Sequence, residues 1–499
     1  MRMTVALLAA AVLAAQNGIE PIHLDPSNHH YFSYRGRTIV LVTSSEHYGA
    51  VINADFDGTK YLETLQKDGL NETRLFGGSY VEVPGESFGI RRNTLAPAPG
   101  KLILPWARSQ EPGYAGGGNR FDLDRWDDRY FQRLRDYLRA AEERGIIVEL
   151  TLFSSQYGDA QWNMSVFNAP NNVNHTDPVS WKNVNTLDNG NLLAYQERYT
   201  RKLVREANAF PNVIFEIQNE PWSDRGQLAD VINPYLALPG RNLYPNSVDL
   251  ADAQSLAWQE RVAGWITDEE SRLPNRHLIA QNFCNFRFAV GEPVRGASVL
   301  NFHYAYPEAA TLNYGIDKPL TYDETGFLGQ TDAGYRRQAW NFLLSGGAVF
   351  DALDYSFSPG HEDGSDTEPN GPGGGGATLR KQLGILHRFV DSVPLAEMKP
   401  DATTVVHAEG VQIRMLSSAR VHIAYVDGNG PARIRLRLGV GDYLGFWEDT
   451  ETGARTVIPE FRSRGDESVL ETPAFRQGLA LLLFRKGAAR LTVQGENPR

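Results

Sequence analysis

Near its middle the chain reads Asn212-Val-Ile-Phe-Glu-Ile-Gln-Asn-Glu-Pro-Trp222. The pattern predicts a buried strand that stops at Pro221 and carries a carboxylate, Glu220, on its last step. Side chains alternate along a strand, so Glu216 and Glu220 are expected on one face and Asn219 on the other. A polar face of this kind suits the interior of a closed parallel barrel, where the last residue opens into a site above the strand ends.

Glu220 needs a partner if it is one half of an acid/base pair. Glu216 lies four strand steps away, which is about 13 Å at roughly 3.3 Å per step. Hydrolysis through a covalent sugar intermediate requires carboxyls about 5–5.5 Å apart. The second carboxylate is therefore expected on another strand. Residues 318–327 repeat the design, with a short apolar run followed by Glu324 where the strand breaks at Gly326.

The two strand ends resemble those of clan A of the glycoside hydrolases, most nearly family 5. The resemblance rests on Asn219-Glu220-Pro221 at one strand end and on Glu324 at a later one, and it covers about residues 25–395. It implies an α/β protein with a (β/α)8 TIM barrel, in which Glu220 is the acid/base after strand 4 and Glu324 the nucleophile after strand 7. The implied activity is retaining hydrolysis of β-linked glycosidic bonds, with a carbohydrate substrate, no metal and no organic cofactor.

The same resemblance suggests roles for residues on other strands. Family 5 barrels place on strand 2 an Arg that bonds the nucleophile and keeps it ionised, and Arg74 occupies that position, although a purely structural ion pair is the alternative. His303 matches the strand 6 pattern, while either Tyr304 or Tyr306 is the tyrosine that bonds the nucleophile. Asn219 is expected to bond the sugar's 2-hydroxyl.

Further side chains at predicted strand ends are candidates for contact with the sugar. They are Glu46, His47, Trp222 and Tyr355. For the pair after strand 1, simple solvation in a loop is an equally good interpretation. The chain departs from family 5 after strand 3, where Ser154 and its neighbour stand in place of the usual His.

Alternatives exist for both the nucleophile and the function. Asp323, Asp351 and Asp354 are the other acidic residues near the predicted mouth, but a regular strand would point Asp323 away from Glu324. The alternative function is a non-catalytic carbohydrate-binding barrel, against which the presence of both glutamates argues.

Two long segments, residues 76–120 and 156–191, lack regular periodicity and predict insertions above the barrel. Long loops in compact domains usually belong to binding sites. Their aromatic residues are possible sugar platforms, with packing as the commoner role. These residues are Trp106, Tyr114, Trp162 and Trp181. Insertions of this size predict a pocket suited to chain ends or short oligosaccharides.

The composition narrows the class of protein. The 499 residues include 41% hydrophobic ones and carry a formal charge of −11, so a nucleic-acid partner is not expected. Residues 1–15 have the outline of a secretory signal peptide, and no later stretch is apolar enough to span a membrane, which predicts a secreted or periplasmic protein. Residues 16–396 are expected to form the barrel, with an N-terminal hairpin. Residues 397–499, where the pattern changes to period two, are expected to form a β-sandwich.

Overall fold

The computed structural model describes residues 20–85, 87–230 and 247–487. Eight parallel strands form the predicted barrel, which is confirmed. In chain order they are β1 (Leu41–Ser45), β2 (Glu72–Phe76), β3 (Ile147–Ser154), β4 (Val213–Asn219), β5 (Leu278–Asn285), β6 (Val299–His303), β7 (Leu320–Glu324) and β8 (Val349–Leu353). They are hydrogen-bonded in the order β1-β8-β7-β6-β5-β4-β3-β2, which leaves one seam, between β2 and β1.

Asn71 bridges that seam. Its side-chain nitrogen donates to the carbonyl of Val40 at 2.8 Å, and its side-chain oxygen accepts from the amide of Val42, also at 2.8 Å. The Asn71 amide donates in turn to the Val42 carbonyl at 3.2 Å. One side chain therefore satisfies the strand-edge groups where the two ends of the sheet meet.

Helices cover the outside of the barrel. They are α1 (Gly58–Asp68), α2 (Asp128–Glu143), α3 (Leu192–Ala207), α4 (Ala253–Glu270), α5 (Pro307–Asn313), α6 (Asp332–Leu343) and α7 (Ala377–Asp391). The sequence predicts helices over residues 56–70, 126–144, 192–209, 333–345 and 377–393, and α1, α2, α3, α6 and α7 match them to within two residues at each end. For example, α1 is capped by Asp57 and ends at Gly69, whose φ of 80° suits glycine. The described residues 286–298 join β5 to β6 without a helix.

The insertion after β2 is more regular than its sequence indicates. Trp106–Pro112 and Asn119–Trp126 pair as an antiparallel hairpin, so the prediction of an aperiodic loop is wrong there. Gly- and Pro-rich turns and irregular register hide the strand period. Trp106 is 1% exposed and stacks on Tyr199, with ring centres 5.0 Å apart. Trp106 therefore packs the insertion onto α3 rather than facing a sugar.

Other short elements complete the barrel domain. They are a three-stranded sheet of His23–Leu24, Phe32–Tyr34 and Arg37–Ile39, the short helix Asp159–Met164, and an antiparallel pair of Gly226–Asp230 with Ser247–Ala251. The first sheet contains the predicted N-terminal hairpin, which turns at Arg35 and Gly36. The predicted signal peptide lies outside the described residues.

The C-terminal region is a two-layer β structure, as predicted. One sheet contains, in spatial order, Lys399–Pro400, Gln412–Ser417, Val421–Asp427, Leu479–Arg485, Gly441–Asp449 and Arg455–Ser463, and the other contains Val405–Ala408, Arg433–Arg437 and Glu467–Glu471. Ile423 and Tyr425 join the barrel's hydrophobic core, while Ala424 and Val426 join a separate cluster between the sheets. Because both faces of the larger sheet are apolar, it holds the second layer against the barrel.

Among the described helices, none has the length and apolar character required to cross a bilayer.

Candidate active site

Two glutamates meet at the carboxyl ends of the barrel strands. Glu220 follows β4 directly, and Glu324 is the last residue of β7. A carboxylate oxygen of one lies within 4.8 Å of a carboxylate oxygen of the other. The two residues are 8% and 6% exposed, respectively. The pair selected from the sequence therefore shares one nearly buried site.

Glu220 has a left-handed backbone, with φ 43° and ψ 54°, a conformation that is strained for a residue with a Cβ. Both neighbouring strands hold it there. The Ser155 hydroxyl donates to the Glu220 carbonyl at 2.6 Å, and the Glu220 amide donates to the side-chain oxygen of Asn282 at 2.9 Å. Ser155, at the position where the sequence departs from family 5, thus anchors the turn that presents Glu220.

Three side chains donate to the Glu324 carboxylate. Oε2 accepts from the Tyr48 hydroxyl at 3.0 Å and from Nη1 of Arg74 at 2.9 Å. Oε1 accepts from the Tyr304 hydroxyl at 3.0 Å. Tyr306 instead packs against Phe286, with ring centres 5.3 Å apart. Of the two tyrosines left open by the sequence, Tyr304 is the one that reaches Glu324, and Tyr48 is a further donor.

Arg74 is completely buried and binds more than the candidate nucleophile. Its Nε and Nη2 donate to the two oxygens of Glu216 at 2.7 and 2.5 Å, and Nη2 also donates to Asn219 at 2.6 Å. Arg74 therefore forms a structural ion pair with Glu216 and also donates a hydrogen bond to Glu324. It combines the two roles that the sequence offered as alternatives.

Strict strand alternation fails at two positions near the site. Asn219, expected on the face opposite Glu216, binds the same guanidinium, because the regular pleat does not persist to the turn at Glu220. Asp323, expected to point away from Glu324, lies 3.7 Å from Arg74. The β6–β7 register shifts at this point, and a bulge of that kind turns consecutive side chains toward the same side.

His303 links the two glutamates. Its Nδ1 donates to Glu220 Oε1 at 3.0 Å and lies 3.7 Å from Glu324 Oε1. On the other side of the ring, Nε2 lies 3.4 Å from Asp323. Trp222 packs edge-on against the imidazole, with ring centres 5.4 Å apart. His303 is thus surrounded by three carboxylates, with Trp222 fixing its ring plane.

Charge and burial set the protonation of these groups. Burial alone lowers the pKa of His303, but Asp323 and Glu324 raise it well above its usual value. Burial raises the pKa of Glu324, and the charge of Glu220 adds to this effect, whereas His303 and Arg74 oppose it. The sequence suggested that an Arg would keep Glu324 readily ionised. Arg74 does lower the pKa of Glu324, as expected, but burial and the charge of Glu220 outweigh this effect, so the net direction is upward.

The candidates after β1 and β8 lie at different depths. Glu46 is fully buried, and its carboxylate accepts from the amides of Gly49 and Ala50 at 3.1 and 3.0 Å, so it holds the turn at Tyr48. His47 Nε2 lies 3.1 Å from a buried carboxylate, that of Glu82.

Tyr355 is 5% exposed, and among the described residues its hydroxyl has no hydrogen-bond partner. Burial raises the pKa of Tyr355 well above its usual value, and the charge of Glu324 adds to this effect.

The alternative nucleophiles have other partners. Asp354 accepts from Arg380 at 2.7 Å and from the Ser44 hydroxyl at 3.1 Å. Asp351 accepts from the Ser45 hydroxyl at 2.7 and 2.6 Å. These contacts tie Asp351 to β1 and Asp354 to β1 and α7, whereas Glu324 is the acidic residue that stands beside Glu220.

The barrel interior below the site is rich in carboxylates. Oxygens of Glu149, Glu216 and Asp323 lie within 4.8 Å of one another, as do ligand atoms of Glu220, His303 and Glu324. Both groups meet the distance requirement for a metal. In the lower group Arg74 already supplies a cation to Glu216 and Asp323, and in the upper group hydrogen-bond donors already occupy both glutamates.

One contact at the site had no counterpart in the sequence analysis. The Tyr157 hydroxyl lies 2.9 Å from Glu220 Oε2 and 2.6 Å from the side-chain nitrogen of Asn219. Tyr157 stands three residues beyond β3 in an insertion, and its sequence neighbours carry no period or motif that marks it. Family 5 enzymes usually have a His at the end of this strand. In this protein Tyr157, from the loop after β3, contacts Glu220 instead.

No protein-family model and no curated protein matches the sequence. Solved structures do share its fold. A putative glycoside hydrolase from Bacteroides vulgatus superposes with a TM-score of 0.62 at 15% identity, over 94% of this chain and 83% of that one. A family 5 glycoside hydrolase from the same species gives 0.57 at 11% identity, over 95% of both chains. Another glycoside hydrolase gives 0.58 at 11% identity, over 94% and 98%. The barrel and its C-terminal β region together thus share the fold of these three structures.

Proposed function

We propose that this protein is a retaining glycoside hydrolase that cleaves β-linked bonds in an oligo- or polysaccharide. The observation that carries the proposal is the approach of Glu220 and Glu324 carboxylate oxygens to within 4.8 Å. Retaining enzymes hold their two carboxyls about 5–5.5 Å apart, while inverting enzymes need about 6.5–9.5 Å to admit a water molecule. The short separation favours direct attack by one carboxylate on the sugar.

In the proposed reaction Glu324 attacks the anomeric carbon while Glu220 protonates the leaving oxygen. Glu220 then takes a proton from an incoming water molecule. The water oxygen bonds to the anomeric carbon, and the bond between that carbon and Glu324 breaks, so the sugar is released. Tyr48, Arg74 and Tyr304 hold the attacking carboxylate in place, so little reorganisation is needed when the bond forms. Asn219, beside Glu220, is the proposed partner of the sugar's 2-hydroxyl.

The substrate's extent is proposed from the burial of the pair. Glu220 and Glu324 are each less than a tenth exposed, and Tyr157 from the insertion after β3 contacts Glu220. A site of this depth favours a chain end or a short oligosaccharide over the middle of a long polymer. Product analysis on a panel of polysaccharides and matching oligosaccharides tests this point.

The central experiment compares wild type with Glu324→Ala and Glu220→Ala on aryl glycosides and natural saccharides. We expect Glu324→Ala to lose nearly all turnover and to recover partly with azide. Glu220→Ala should lose about 10²–10⁴-fold on poor leaving groups and far less on activated ones. Glu63→Ala removes a half-exposed surface carboxylate and is the matched control. Normal activity in both site variants, or binding without turnover in wild type, would refute the proposal.

Export is proposed on the sequence of residues 1–15, which has a basic start, an apolar centre and small residues before Gln16. N-terminal sequencing of the protein recovered outside the cytoplasm tests it, and an intact Met1 there would refute cleavage.

A further inference from the structure

We propose that Tyr157 is a positioning residue that holds Glu220 for proton transfer to and from the sugar's leaving oxygen. This inference rests on the proposed function and adds a residue to it. The Tyr157 hydroxyl donates to Glu220 Oε2 at 2.9 Å, while His303 donates to Oε1 at 3.0 Å. Each oxygen of the candidate acid/base therefore has its own donor, and the carboxyl plane is fixed from two sides.

Hydrogen bonds from its own and the preceding backbone amide hold Tyr157 in an unusual conformation. Its φ of 59° is in the left-handed region, which a residue with a Cβ adopts only where its surroundings impose it. The buried Asp224 carboxylate accepts from the Tyr157 amide at 3.0 Å and from the Gln156 amide at 2.8 Å. Asp224 comes from the turn that follows Glu220, so one short segment carries the acid/base and also anchors the residue that orients it.

Two aromatic rings pack against the ring of Tyr157. Tyr80 lies edge-on to it with ring centres 6.0 Å apart, and Phe88 does so at 5.1 Å. Burial and the charge of Glu220 raise the pKa of Tyr157 well above its usual value. The hydroxyl therefore keeps its proton over the range in which enzymes work and remains a hydrogen-bond donor.

A second contact makes the hydroxyl part of a chain that crosses the site. Asn219 donates to Tyr157 at 2.6 Å, and its oxygen accepts from Arg74, also at 2.6 Å. Arg74 binds Glu324 on its other side. Tyr157 is thus the last link in a series of hydrogen bonds that begins at the candidate nucleophile and ends at the candidate acid/base.

The proposed effect is on proton transfer and not on substrate affinity. Tyr157 neither gains nor loses a proton; Glu220 gives its proton to the leaving oxygen and later takes one from water. Without the hydroxyl, the described residues supply Glu220 with a donor on one oxygen only, that from His303, and its carboxyl is held less firmly toward the bond being cleaved. Misplacement of a catalytic group by even about 1 Å costs on the order of 10²-fold in rate.

The experiment uses Tyr157→Phe, which keeps the ring and removes only the hydroxyl. We expect kcat to fall about 10- to 100-fold on glycosides with poor leaving groups, with little change in KM and a much smaller loss on activated aryl glycosides. Tyr157→Phe combined with Glu220→Ala should be no slower than Glu220→Ala alone, because the hydroxyl acts through that carboxyl.

Tyr199→Phe is the matched control. It removes a buried hydroxyl that donates to the Leu152 carbonyl of β3 at 3.0 Å, without touching the site. Asp224→Asn, which weakens the tether on the Tyr157 amide, should reproduce the dependence on leaving group in a second background.

The outcomes separate this inference from the proposed function. If wild type hydrolyses glycosides and Tyr157→Phe matches wild type on poor leaving groups, the role of Tyr157 is refuted while the function stands. Equal losses on all substrates, or a further loss in the double variant, also refute it, since they indicate packing alone. If wild type turns over no glycoside, both proposals fall.

Discussion

Nη1 of Arg74 lies 2.9 Å from Oε2 of Glu324, with both side chains inside the barrel. The same guanidinium is the bidentate partner of Glu216. Removing it would leave the buried Glu216 without its bidentate partner and would take one hydrogen-bond donor from Glu324. This contact therefore joins the chemistry of the site to the stability of the fold, and the two effects are separable by experiment.

Arg74→Ala is expected to lower the free energy of unfolding by about 3–5 kcal/mol, the usual cost of breaking a buried ion pair from one side. Urea denaturation measures the change. Arg37→Ala breaks an ion pair with Asp391 whose arginine is 64% exposed, and it should cost no more than about 1 kcal/mol. Similar losses in the two variants would contradict the account of Arg74 given above.

As pH is lowered, activity is expected to be lost at a higher pH than is usual for a carboxylate nucleophile. Burial raises the pKa of Glu324, and Glu324 must be ionised to attack. The acidic limb of the pH profile of kcat/KM should therefore lie above about 4.3, the ordinary value for Glu. A profile that stays flat down to about pH 4 would show that another group is the nucleophile.

Tyr304 and Tyr306 are expected to differ sharply in their effect on catalysis. Tyr304→Phe removes a donor to Glu324 Oε1 and should reduce kcat by about 10²-fold or more. Tyr306 packs against Phe286, so Tyr306→Phe should have a much smaller effect on kcat. Steady-state kinetics on one aryl glycoside tests both, and the reverse order would move the nucleophile's partner to Tyr306.

Stability is expected to decrease as pH rises from about 4 toward 7. Burial raises the pKa of Glu46 and of Asp351 to about 7, while both ionise near 4 in the unfolded chain. The unfolded state therefore loses these protons first. The stability that protonated Glu46 and Asp351 contribute to the folded protein is fully present below about pH 4. It is lost as pH rises through their pKa values in the folded protein.

The slope of unfolding free energy against pH measures this effect. Asp351→Asn removes one of the two groups, so its slope between about pH 4 and 7 should be smaller than that of wild type. The amide can still accept from the Ser45 hydroxyl, which keeps the local contact. An unchanged slope would show that Asp351 does not titrate in this range.

Two glycines give opposite predictions for the same substitution. A Cβ on Gly373 would lie 1.8 Å from the Gly326 carbonyl oxygen and 2.5 Å from the Tyr355 ring, so Gly373→Ala should disturb the loop beside the site and lower both stability and activity. Gly264 lies inside α4 with open space around its Cβ position, and Gly264→Ala should stabilise by up to about 1 kcal/mol. Thermal unfolding compares the two.

The sequence predicts the barrel and the strand-end positions of its two glutamates correctly because both follow from patterns among neighbouring residues. A strand that ends at Pro221 or Gly326 shows where the backbone leaves the sheet, and parallel strands bring such ends to one edge of the barrel. The distance between successive residues of one strand excludes Glu216 as the partner of Glu220. These arguments need no tertiary information.

The remainder of the site depends on contacts that no local rule contains. Asn219 and Asp323 face inward because the strands are irregular at their last steps. Tyr157 reaches Glu220 because Asp224, which lies 67 residues further along the chain, binds its amide. Long-range hydrogen bonds of this kind decide the position of a loop residue, and periodicity carries no information about them.

Arg74 crosses the barrel interior and connects Glu216 and Asn219 on β4 with Glu324 on β7. The position of Glu324 relative to β4 is consequently set by the barrel's width and by one rigid planar group, whereas Glu220 is held by Asn282 and by Ser155 and Tyr157 after β3. Exchange of the outer segments would therefore leave Glu324 in place but would disturb Glu220 if it removed Tyr157. Under the proposed function, the parts of the insertions after β2 and β3 that do not contact Tyr157 or Glu220 are the targets for redesign of sugar preference.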